Sequence, residues 1–95
     1  MTAQEQQTVW VFTGPNARFP GAVFSTRERA ETWIAQHKLS GLLTEYPLDV
    51  GAYDLAVQKG VFKPKRPEHA SSAFIGAFTS AHMAHVHFED GKAVA

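Results

Sequence analysis

The sequence predicts an α+β fold: a small, mostly antiparallel four-stranded sheet with two or three helices on one face, in the order β-β-α-β-α-(α)-β. Three observations carry this. Runs rich in β-branched and aromatic residues, TVWVF at 8–12, GAVF at 21–24, LLTEYPL at 42–48 and AHVHF at 84–88, read as strands. Two stretches, 25–37 and 49–59, carry apolar residues at helical spacing. The elements mix without the regular βαβ alternation of a doubly wound sheet, so the helices are expected on an antiparallel sheet instead.

Taken in order, Met1–Gln7 holds no large apolar residue and is expected as a disordered tail before a single domain over 8–95. Thr8–Phe12 is nearly continuous in apolar character, as in a central strand with both faces covered. Gly14, Pro15, Asn16 and Pro20 make 13–20 a turn region, read either as a surface loop whose Phe19 folds back onto the core or as a long loop that carries function. Gly21–Phe24 completes a hairpin.

Ser25 and Glu28 have the S-x-x-E spacing of a capping box, which opens the first helix. Ala30, Trp33, Ile34 and His37 form its inward stripe. Leu42–Leu48 is the third strand, and Pro47, lacking an amide hydrogen, ends it or marks an edge. Asp49 is the expected N-cap of a second helix with a stripe of Val50, Tyr53 and Val57, closed by Gly60. KPKRP at 63–67 reads as an exposed connection. For 71–78, a short helix capped by Ser71 or Ser72 is favoured over a strand with a bulge at Gly76. Ala84–Phe88 is the last strand, with His85 and His87 on one side and Val86 on the other. Asp90-Gly91 makes a turn, after which 92–95 pairs briefly or frays.

Composition narrows the chemistry. Ninety-five residues fit one core. With no cysteine, disulfides, thiolate metal sites and thiol nucleophiles are excluded. Nine Lys and Arg balance nine Asp and Glu, which argues against a nucleic-acid binder. No apolar run is long enough for a membrane span, and the N-terminus lacks a secretory pattern, so a cytoplasmic location is expected.

Candidate catalytic groups are sparse. There is no G-x-S-x-G elbow, phosphate loop or dinucleotide fingerprint. Glu45, Asp49 and Asp54 are near in sequence, but each has a surface or capping explanation, Glu45 as the outward side of its strand. His82, His85 and His87 form H-x-x-H-x-H, the one dense cluster of metal-capable side chains. A polar outer face on the last strand explains the same letters without a metal, so no catalytic residue, metal or cofactor is assigned.

WVF at 10–12, ARFPGAVF at 17–24, A-x-x-WI-x-x-HKLSG at 30–41, LTEYPLDVGAYD at 43–54, GVFKPK at 60–65 and FIGAFTSAHMAHVHFEDG at 74–91 together resemble a family of small single-domain bacterial proteins of unknown function. The resemblance runs from Val9 to Gly91 and implies no activity or site residue. In size and class alone the chain is similar to immunity proteins, which cover the active site of a bacterial toxin. The expectation that follows is a non-enzymatic protein-binding domain, narrowed to an immunity protein with a toxin as partner. Its contact residues would be Arg18 and Phe19 with Glu45, Asp49 and Asp54. The alternative is a small metal- or ligand-binding protein using the 82–87 histidines. A homodimer is also compatible with the aromatic-rich chain and a short edge strand.

Overall fold

A computed structural model describes residues 7–79 and 83–94. The chain forms β1 (Thr8–Thr13), β2 (Ala22–Phe24), α1 (Arg27–His37), β3 (Gly41–Pro47), α2 (Ala52–Gln58), a 3-10 turn (Pro67–Ala70), α3 (Ser72–Gly76), β4 (His85–Glu89) and β5 (Lys92–Val94). The strands make one sheet, ordered β2-β1-β3-β4-β5, with every neighbouring pair antiparallel. The α+β class and the three helices agree with the sequence. The sheet has five strands rather than four, because the Asp90-Gly91 turn, with φ of 51° and 87°, folds 92–94 back onto β4.

Register sorts the side chains. Phe24 lies opposite Trp10, Phe12 opposite Leu43, Leu43 opposite Val86, and Gly41 opposite Phe88. This face meets α1, whose Ala30 and Ile34 are fully buried against Phe12, Leu43 and Phe88. Trp33 fills the border, edge-on to Phe12 at 5.6 Å and tilted against Phe24 at 5.5 Å. Each such aromatic pair adds about 1 kcal/mol beyond its area burial. Gly41 is required at its place: φ is 151°, and a Cβ would fall 2.5 Å from the Thr13 carbonyl oxygen.

The alternate residues, Val9 and Val11 of β1, Val23 of β2, Leu42, Thr44 and Tyr46 of β3, and His85 and His87 of β4, project to the other face. None belongs to the core cluster, and all are half-buried or exposed. β1 is therefore interior in its hydrogen bonding, but among the described residues only one of its sides meets the core, a correction to the expectation of two covered faces. A continuous apolar run does not say whether both of its sides meet protein.

Helix ends differ from the sequence reading in two places. Thr26, not Ser25, caps α1, with its hydroxyl accepting from the Arg29 amide at 3.2 Å. Gly51, not Asp49, precedes α2, and Asp49 instead takes a left-handed φ of 65°. Both shifts move the helix start downstream of the first polar residue that fits a cap. In α2 the buried residue is Ala56, whereas Val57 of the expected stripe is exposed.

α3 forms as favoured, with Ser71 accepting from the Phe74 amide at 3.1 Å. A second aromatic cluster holds this region: Tyr53 of α2 meets Phe62, Phe74 and Phe78 within 5.5–6.2 Å. His69 stacks at 4.9 Å on Phe74, and its Nδ1 accepts from the amides of Lys65 and Arg66. The KPKRP stretch is thus an exposed connection folded around one imidazole. Of the expected tail only Gln7 is described; its carbonyl accepts from the Leu48 amide at 2.8 Å.

Candidate functional site

The five residues proposed from sequence fall into two groups. Arg18 and Phe19 lie on the 14–21 loop, which leaves β1 after Thr13, the residue opposite Leu42. Gly21 closes the loop by donating to the Phe12 carbonyl at 2.8 Å. Glu45, Asp49 and Asp54 lie toward the other end of β1, where Thr8 is opposite Pro47. Five residues of strand separate Thr8 from Thr13, about 17 Å. Glu45 therefore lies away from the loop that carries Arg18 and Phe19.

Phe19 does not fold back. It is 74% exposed, the most exposed large apolar side chain among the described residues, and the Arg18 guanidinium sits 5.8 Å from its ring centre. Two prolines and Gly21 hold the loop in a wide turn that carries the ring away from the sheet. Val23, four residues on, is 61% exposed on edge strand β2.

Glu45 points toward the helix side of the sheet, not outward. It stands opposite Trp10, and its carboxylate accepts from the Thr8 hydroxyl at 2.5 Å. Parity explains the correction: Leu43 and Glu45 share a face, and Leu43 is fully buried. Glu45 lines a cleft of about 570 Å³ whose walls include Pro47, Leu55, Val61 and Met83, with Lys59 also at its surface. Asp54, in the first turn of α2, lies over Gly51. The cleft's residues come from four separate segments, at Thr8, at Glu45 and Pro47, from Ala52 to Val61, and at Met83 and Ala84, so only the tertiary structure could assemble it.

His85 and His87 share the open face of β4, with ring centres 5.5 Å apart. His82 lies outside the described residues. Among the described residues, no group of three or more His, Asp or Glu gathers in a way that could hold a metal ion. His87 and Glu89 border a shallow hollow of about 560 Å³, with Leu42, Pro15 and Val94 on its other sides. No helix among the described residues is long and apolar enough to cross a membrane.

These features define a class: a small α+β domain with three helices and an antiparallel sheet, one face of which meets α1. The chain belongs to the family Domain of unknown function (DUF7710), which is matched over residues 9–94. Comparison with curated proteins and with solved structures returns no match.

Proposed function

We propose that this is a non-catalytic protein-binding domain that engages its partner through the 14–21 loop and the adjoining edge of the sheet. The observation that carries the reading is Phe19, held out on a loop tied to β1, beneath the guanidinium of Arg18. Exposing a phenylalanine in water is unfavourable by about 2 kcal/mol relative to burying it. Aromatic and arginine side chains dominate the energetics of protein interfaces. Val23 and the Val9, Val11, Leu42 row continue the surface across β1, where a partner would exclude water around the phenylalanine.

The chemistry of the pair specifies the partner: a protein with an apolar pocket for Phe19 and a carboxylate beside it for Arg18. A toxin as that partner is the narrower proposal, resting on size and class alone. Glu45, Asp49 and Asp54, at the far end of the sheet, fall outside this contact.

Capture of partners from the source cell tests the reading, with wild type, Phe19→Asp, Arg18→Glu and the control Val57→Lys on α2. A stoichiometric partner held by wild type and control, but lost from both loop variants, is the expected result. Equal retention by all four proteins would rule out the loop, and no partner for any of them would rule out the reading. Light scattering on the same samples shows whether the partner is a second copy.

A further inference from the structure

We propose that His85 and His87 form a two-imidazole site for a divalent first-row transition ion such as Zn(II) or Ni(II), on the open face of the sheet. This does not depend on the protein-binding reading, which uses a different strand and loop.

The distance is the first argument. Residues two apart on a strand project to the same side. Both histidines are exposed, and their ring centres lie 5.5 Å apart. In a tetrahedral bis-imidazole complex each metal–nitrogen bond is about 2.0–2.1 Å. Adding about 1.2 Å from nitrogen to ring centre puts the two centres roughly 5.2 Å apart at the tetrahedral angle. The pair already stands within a few tenths of an ångström of that separation. The 83° between ring planes is no obstacle, because tetrahedral coordination sets no angle between the planes of two imidazole ligands.

The second argument is the state of one ring. The Nδ1 of His85 lies 2.8 Å from the Met83 carbonyl oxygen. A carbonyl only accepts, so Nδ1 carries a hydrogen, and in the neutral ring Nε2 is the nitrogen with the lone pair. Histidine ligands are held in this way, with one nitrogen on a carbonyl or carboxylate and the other on the metal.

The third argument is selection of the ion. Imidazole nitrogens suit Zn, Ni and Cu, whereas Mg and Ca require oxygen ligands. Glu89 lies on the same side two residues beyond His87, too far along the strand from His85 to close a three-ligand set. Among the described residues the site is therefore bidentate, with its remaining positions open. Such a site exchanges its ion, unlike a closed structural zinc centre.

Tag-free full-length protein is titrated with Zn(II) and Ni(II) salts by calorimetry and by competition with a coloured chelator. One ion per chain is expected, with affinity at least tenfold weaker in His85→Gln and in His87→Gln and lost in the double variant. The His37→Gln/His69→Gln variant should bind as wild type. Both substituted rings are exposed, so circular dichroism of the double variant should match wild type and separate lost binding from lost fold. Undiminished binding by the double variant would overturn the proposal. So would failure of wild type to bind either ion at millimolar concentration.

Discussion

Gly91 stands so close over the last turn of α1 that a Cβ on it would meet the Cα of Lys38 at 3.0 Å. The same Cβ would lie 3.2 Å from the Ala35 Cα and 3.3 Å from the Ile34 carbonyl oxygen. Both residues are left-handed, Lys38 at φ 53° and Gly91 at φ 87°. The Gly91 amide donates to Leu39 at 2.8 Å, and the Asp90 amide to the Ser40 hydroxyl at 3.0 Å. The β4–β5 turn is thereby fastened to the end of a helix about fifty residues earlier, which couples a local hairpin to the main core.

Gly91→Ala should therefore destabilise the domain by about 2 kcal/mol, from backbone contact and an unfavourable φ together. Lys38→Gly should act in the opposite direction by about 0.5–1 kcal/mol, since glycine takes the left-handed helix end without a Cβ penalty. Urea unfolding of the two variants measures both. Wild-type stability in Gly91→Ala would show that the turn does not press on the helix.

The core is small, so its two largest fully buried side chains matter most. Ile34→Ala and Leu43→Ala should each cost about 2–5 kcal/mol, a large part of the stability of a domain this size. Val57→Ala, at an exposed position of α2, should change stability by less than about 0.5 kcal/mol. Comparable losses at all three positions, seen as equal shifts in urea midpoint, would contradict this location of the core.

The start of α1 can be read by substitution. Thr26→Ala removes the hydroxyl that accepts from Arg29 and should cost about 1 kcal/mol. Ser25→Ala should be close to neutral, because Ser25 lies one residue outside the cap. Thermal unfolding of both variants is sufficient, and the reverse ranking would restore the capping box read from sequence.

The Thr8–Glu45 contact joins β1 to β3 beside the cleft. A double-mutant cycle with Thr8→Val and Glu45→Gln should give a coupling of about 1 kcal/mol, as the pair is only half-buried. Strict additivity of the two losses would mean that the contact contributes nothing.

Local chemistry determined the class of this fold and most of its elements. β-branched and aromatic runs placed four strands, helical spacing placed two helices, and Ser71 marked a third, because these preferences act over a few residues. Asp90-Gly91 was equally legible as a turn, but whether Lys92–Val94 paired depended on β4 being there to receive it. Only tertiary structure decided which side of each strand is covered. Glu45 turned inward because it shares a face with Leu43, and Val9 and Val11 turned to the other face, where among the described residues no helix packs on them. Phe19 stayed in solvent because its loop is tied back to Phe12 rather than laid over the core. The separation of Arg18 and Phe19 from Glu45 follows from strand register, a long-range property that hydrogen bonding between distant segments sets, whereas the shared side of His85 and His87 was already legible in their two-residue spacing.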